Sequence, residues 1–225
     1  MTDTTEIDNF QALHDVVKGH NQDTTVYRGV KDESYELVPK VGRPSIKWNH
    51  KSIEDAEKYI LNLFKQRSIP YLSFSPRNDW EWLALAQHHG LPTRLLDWSR
   101  NLLVAAYFAV SEEATTDSAI YVYSSSKYPV SSDDETKSPF EYQEQRKFIP
   151  AHITNRIIAQ SGLFTVHPNP DTPLRGKNVT KLFIPNRARK DLKSILFKFN
   201  IHQFSLFPGL DGLSEHLTWL RSEGY

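Results

Sequence analysis

Residues 81–110 read EWLALAQHHGLPTRLLDWSRNLLVAAYFAV, and the changes of pattern within them decide the class of fold. The stretch opens inside a helix predicted over 79–89, N-capped by Asn78 or Asp79 after Pro76. A side-chain oxygen at that position accepts from a backbone N–H that the first turn leaves unpaired. Gly90-Leu91-Pro92 then stops the helix, since glycine takes the conformation that closes one and proline cannot continue it. TRLLDWS reads as short and extended or turn-like, and Asn101 to Val110 is apolar with a helical pattern.

Upstream, residues 8–18 place Phe10, Leu13, Val16 and Val17 at helical spacing. TTVYRGV is β-branched and aromatic, a strand ending at Gly29, and YELVPKVGRP is a loop or short strand punctuated by prolines. Residues 51–67 form a helix with Ile53, Ala56, Ile60, Leu63 and Phe64 on one face. Downstream, SAIYVYSS and GLFTVH are strong strands separated by a polar loop at 124–140, expected to be mobile, and the short segment ITNRIIAQ. HPNPDTPLRGKNV is turn-rich, KLFIP a strand, RARKDLKSILFKFNI a helix, and the tail from Leu213 another. Helices and strands are interspersed without a regular βαβ rhythm, so the class is α+β in a single domain. The expected boundaries are an N-terminal helix at 1–19, the domain at 20–215 and a tail at 216–225.

The chain has no cysteine, which excludes disulfides, a thiol nucleophile and thiolate metal sites. Twenty-seven basic and 27 acidic side chains balance, so a general polyanion-coating surface is not expected, although a local basic patch stays open. The N-terminal residues lack the basic and apolar regions of a secretory leader, and no apolar run approaches the roughly 20 residues of a membrane span. A cytoplasmic protein with no membrane partner is expected.

QHHGLPTRLLDWS, residues 87–99, holds the densest cluster of reactive side chains. Its plain reading is structural, with Arg94 and Asp97 as a buried pair and His88 as a cation at the helix C-terminus. The alternative is a site, because so many polar groups crowd one turn-rich loop. The P-loop, GxGxxG, GxSxG and HExxH patterns are all absent. His88, His89, Asp97, His152 and His167 are possible metal ligands, but adjacent histidines rarely point at one ion, and no metal site is expected.

VYRGV, LVPKVGR, the stretch at 81–110, AIYVY and LFPGLDGL together resemble the FRG domain, with Tyr27 standing where phenylalanine gives the family its first letter. The resemblance spans roughly residues 20–215. The order of elements is also similar to that of ADP-ribosyltransferases, which implies a central mixed or split antiparallel sheet flanked by helices and NAD as substrate. On that resemblance Arg28 grips NAD, Asp97, Trp98 and Ser99 form the second motif, and NRIIAQSGLFTV places Asn155, Arg156 or Gln160 near the family's acid.

No glutamate stands in that third segment, so Asp97 carries the charge, Gln160 positions substrate, or the chemistry is lost. The resemblance thus implies Arg28, Asp97 and Gln160 as catalytic residues. Tyr27, Gly29, Arg43, His88, His89, Thr93, Arg94, Trp98, Ser99 and Tyr107 would bind NAD, with Tyr107, Phe108 and Trp98 as candidate rings against nicotinamide. LFPGLDGL reads as structural, with Phe207 in the core, and RARK at 187–190 as a solvated helix start or a modest phosphate-contacting patch.

Three functions remain open. One is an NAD-dependent transferase acting on RNA or protein, in a toxin or antiphage setting with an antitoxin partner. Another is a nucleic-acid-binding or metal-independent nuclease domain in which His88, His89 and Arg94 meet phosphate. The third is a non-catalytic nucleotide- or partner-binding module.

Overall fold

Asn78 caps the central helix as its position demands: its side chain accepts from the Glu81 N–H at 3.0 Å, and α3 runs Asp79–His88. Gly90 follows at φ +84°, in the left-handed region that glycine enters without strain. These features belong to a computed structural model that describes residues 5–72, 74–151 and 154–222.

The strands are β1 (Thr5–Glu6), β2 (Thr25–Val30), β3 (Leu95–Ser99), β4 (Ser118–Ser124), β5 (Arg146–Phe148), β6 (Gly162–Val166) and β7 (Val179–Ile184). Besides α3, the helices are α1 (Phe10–Lys18), α2 (Ile53–Ser68), α4 (Leu102–Val110), α5 (Asn155–Ala159), α6 (Arg189–Lys198), α7 (Gln203–Leu206) and α8 (Leu210–Ser222). The strands form one seven-stranded mixed sheet in the order β1-β7-β4-β2-β3-β6-β5, and only β1 and β7 run parallel. The chain is therefore an α+β domain with helices flanking a mixed sheet.

The sheet is nearly divided in its middle. β2 pairs with β4 from Thr25↔Ser124 to Val30↔Ala119, and β3 pairs with β6 from Leu95↔Val166 to Ser99↔Gly162. Between the two halves, β2 and β3 share only Tyr27↔Ser99. Beyond that pair the strands diverge, so Arg28 on one and Asp97 on the other stand at the mouth of a fork.

Helix α4 packs flat on β2 because Gly29 lets it. A Cβ built at Gly29 would lie 1.8 Å from the Ala105 carbonyl oxygen. That close approach brings Ala105, Ala106 and Ala109 into one core with Tyr27, Ile120 and Leu182, to which α6 adds Leu192 and Leu196. A second core under α2 and α3 gathers Trp80, Leu83, Phe148 and Phe164, and a third joins Val26, Leu96, Trp98 and Tyr123.

Several expectations need correction. The N-terminal segment is more than a helix: β1 pairs with β7, and Ile7, wholly buried, donates its N–H to Phe183 O at 2.7 Å. A two-residue strand is too short to carry an alternating pattern. The loop at 124–140 is anchored by Val130 and Phe140, both buried in the second core. In RARK, Arg189 is buried rather than solvated and donates to the carbonyls of Lys31, Ala109 and Glu112. Phe207 is only partly buried, packed against the edge of the first core, and α8 begins at Leu210 instead of Leu213. Residues 1–4 of the expected N-terminal helix, His152, Ile153 and residues 223–225 of the expected tail lie outside the described residues.

Candidate functional site

The fork between β2 and β3 opens into a groove of about 1080 Å³, walled by the 34–45 segment, the end of α3, the start of α5 and one side of α4. Arg28, Asp97, Gln160, Tyr27, Gly29, Arg43, His88, His89, Trp98 and Ser99 all border it. The structure thus brings together most of the residues singled out in the sequence.

Arg28 sits at the centre. Its Nη1 donates to the Asp97 carbonyl oxygen at 2.7 Å and lies 3.4 Å from Asp97 Oδ2. Asp97 is the one outward-facing residue of β3 and its side chain is 52 % exposed. Gln87 Nε2 donates to the same Oδ2 at 2.8 Å, and Thr93 Oγ1 donates to Gln87 Oε1 at 2.7 Å. A relay of three side chains therefore fixes the carboxylate, starting from a threonine that does not itself reach the groove. Lys40 Nζ donates to Gly90 O at 2.7 Å and ties the VPKVGR segment to the turn after α3.

Charge is unevenly matched here. Lys31 pairs with Glu112 at 2.5 Å and Glu36 pairs with Arg175, away from the centre. Arg28, Arg43 and Arg156 remain around the single carboxylate of Asp97. Burial lowers the Arg43 pKa, and repulsion from Arg28 lowers it further. Burial likewise lowers Arg156, against the pull of Asp97. Arg43 Nε donates to Val38 O at 3.2 Å and the Arg156 guanidinium lies 4.5 Å from the centre of the Phe207 ring, so the three guanidiniums leave an excess of positive charge beside one carboxylate.

The histidines do not add to that charge. Burial, with help from Arg156 and His89, pushes His88 down to about 4, so it is neutral at physiological pH. This corrects the reading of His88 as a cation at the helix end. His167 is buried beneath the groove, and its Nε2 lies 2.9 Å from Thr165 Oγ1, which accepts from Trp98 Nε1 at 2.9 Å. The hydroxyl and the ring share a hydrogen bond, and burial holds His167 at about 4, with Arg28 adding repulsion.

The unfolded histidine would titrate near 6.5, so the folded state binds fewer protons between that pH and 4. Stability is expected to be intact above pH 6.5 and to fall by about 3 kcal/mol as pH drops to about 4. Urea melts across this range measure the fall together with the contribution of His88 in the same direction, and His167→Gln should make the limb shallower by about 3 kcal/mol without abolishing it. An equally steep limb in the variant would refute the assignment.

Three residues expected at the site stand elsewhere. Arg94 is buried and pairs with Glu57 of α2 at 2.9 Å, its guanidinium 4.6 Å from the centre of the Phe140 ring. It is not the partner of Asp97: three positions apart along an extended chain, the two side chains leave by opposite faces. Thr93 is wholly buried and acts only through Gln87. Tyr107 faces away from the groove and donates its hydroxyl to Gln203 Oε1 at 2.8 Å, since α4 turns Phe108, not Tyr107, toward the fork.

Three others border the groove with their polar groups already engaged. Ser99 Oγ donates to Gln160 O at 2.7 Å instead of orienting Arg28, and Gln160 Nε2 donates to Leu206 O at 3.1 Å. The Trp98 ring is buried in the third core, whereas Phe108 and Tyr35 border the groove with part of their rings exposed.

Sequence reasoning missed Gln87 although it begins the quoted motif, and it missed Lys31, Glu36 and Glu112. These last three sit at element ends and in a loop, where no period marks them. Among the described residues no group of three or more His, Asp or Glu gathers as a metal site, and no helix is long and apolar enough to cross a membrane.

No curated protein and no solved structure matches the chain. The family model of the FRG domain matches residues 23–118, a narrower span than 20–215, running from the approach to β2 to the first residue of β4. It takes in Arg28, Arg43, the QHHGLPTRLLDWS turn and the helix that packs on Gly29, so this stretch of the chain is similar to an FRG domain.

Proposed function

We propose that the groove binds NAD and that the protein transfers ADP-ribose from it to a macromolecule. The observation that carries this reading is the cluster of Arg28, Arg43 and Arg156 around Asp97 at the fork of the sheet. A diphosphate bears the charge such a cluster lacks, and planar guanidiniums match its oxygens with paired donors. The volume of about 1080 Å³ suits a dinucleotide rather than a lone phosphate. One nitrogen of Arg28 makes both contacts to Asp97, so the rest of its fork can be directed into the groove.

The chemistry asked of the chain is modest. When the bond between the ribose carbon and nicotinamide breaks, its electron pair leaves with nicotinamide and positive charge develops on the ribose. Asp97, held by Gln87 and Arg28, offers an anion for that charge. Phe108 and Tyr35 offer faces for the flat nicotinamide ring. An acceptor nucleophile then bonds to the ribose carbon and releases its proton.

A second reading, nucleotide binding without turnover, is favoured by one detail. Gln160, at the position of the usual acid, spends its amide on Leu206 O. Incubation with NAD labelled on its adenosine half, with total RNA or with cell protein, separates the two. Label on either acceptor supports transfer; saturable NAD binding with no label moved favours the binding module.

A further inference from the structure

A second cavity of about 340 Å³ lies beside the groove, and Phe108 and Glu112 border both. Its walls are aromatic, with Tyr107 and Phe108 from α4, Phe197 from α6, Phe207 after α7 and Trp219 from α8. Its rim is polar. Gln203 accepts from the Tyr107 hydroxyl at 2.8 Å and donates to Glu215, which fixes an amide and a carboxylate at the edge of a ring-lined space. A pocket made for an aliphatic group would gain nothing from that rim. A cage made for a cation would not hold Lys193 at 4.9 Å from the Trp219 ring centre.

The helix beside the cavity carries more of the pattern. Lys190, Lys193 and Phe197 fall at i, i+3 and i+7 of α6, so they share one face. Lys193 and Phe197 line the cavity and Lys190 is exposed. The RARK motif thus divides its labour: Arg189 locks the helix to three carbonyls, while Lys190 projects. Cations beside rings on one face serve single-stranded nucleic acid, in which bases stack on rings and phosphates meet ammonium groups.

We propose that this cavity is a nucleobase site. It takes one unpaired base of a single strand among its rings, with Gln203 and Glu215 at the base's amino edge and the backbone along Lys190, while Lys193 stays bound to Ser111 O at 2.9 Å. The binding claim stands by itself. Naming this base as the acceptor of ADP-ribose rests on the transferase reading, because Phe108 and Glu112 are walls common to the two cavities.

The test is equilibrium binding of short fluorescent single-stranded RNA and DNA homopolymers to the full chain, read by anisotropy over a salt series. Trp219→Ala is expected to weaken binding about tenfold, the loss of one stacked base. Trp219→Leu keeps apolar volume in α8 and should lose nearly as much, which separates stacking from folding. Lys190→Glu should weaken binding and reduce the slope of log affinity against log salt by about 0.7. Wild type that binds no single strand, or variants that all bind as wild type does, would overturn the proposal. So would transfer of ADP-ribose to protein by a wild type that binds no oligonucleotide. Nicotinamide release from NAD is measured on the same samples. Release without oligonucleotide binding sinks the base site alone, and Trp219-dependent binding without release sinks the transferase alone.

Discussion

Arg28→Ala is expected to reduce nicotinamide release from NAD by at least about a hundredfold, the usual cost of removing one preorganised charge donor from a reacting centre. The fold should survive. Arg28 is tied by one nitrogen to Asp97, a carboxylate more than half exposed, and exposed pairs of this kind contribute about 0–1 kcal/mol. Its removal also relieves the repulsion on Arg43, so the melting temperature should move by no more than a few degrees. Arg28→Lys should recover only part of the activity, since an ammonium is a point charge without the paired donors of a guanidinium. Steady-state release with matched thermal melts measures this. An alanine variant as active as wild type would remove Arg28 from the site.

Glu57→Ala is expected to give the largest loss of stability. Glu57 and Arg94 are each about 1 % exposed, and Glu57 accepts from Arg94 Nε at 2.9 Å and from its backbone N–H at 2.5 Å. Burial pushes the Glu57 carboxyl up while Arg94 pulls it back. Without Glu57 the buried guanidinium keeps long contacts to the carbonyls of Pro139 and Phe140, at 3.4 and 3.5 Å, and Glu54 at 3.6 Å near the surface.

Leaving a buried charge uncompensated costs about 3–5 kcal/mol, and at this chain length each kcal/mol lowers the melting temperature by about 2–4 °C. Glu57→Leu combined with Arg94→Met should restore most of the loss, because the pair's desolvation penalty disappears with both charges. A single variant that melts within a degree of wild type would show that the pair is not the clamp described.

These two residues mark where the sequence was legible and where it was not. Arg28 and Asp97 could be singled out because the motifs that hold them, VYRGV and QHHGLPTRLLDWS, carry the resemblance to a known family. Glu57 could not. It occupies a helix that reads as amphipathic through Ala56, Ile60 and Phe64, and only a partner 37 positions away explains a carboxylate on the buried face. Arg94 drew attention for its company in QHHGLPTRLLDWS, yet its partner is on another helix. Tyr107 and Phe108 are adjacent, and no pattern in an all-apolar helix tells which one faces the fork.

The class of fold followed from local pattern, whereas the fork did not. It depends on the pairing of β2 with β3 ending at Tyr27 and Ser99, which is a matter of register. Arg156 was one of three candidates for the acid position, and its place among the guanidiniums comes from α5 folding back over that fork.

The most direct test of the central claim is the stoichiometry of the reaction in the groove. Free nicotinamide and acceptor-bound ADP-ribose would be counted together in incubations of wild type with NAD and either RNA or protein. The expected result is one nicotinamide released for each ADP-ribose attached, with both lost in Arg28→Ala. NAD that remains intact with every acceptor, and that does not bind wild type in calorimetry, would contradict the assignment of the groove to NAD.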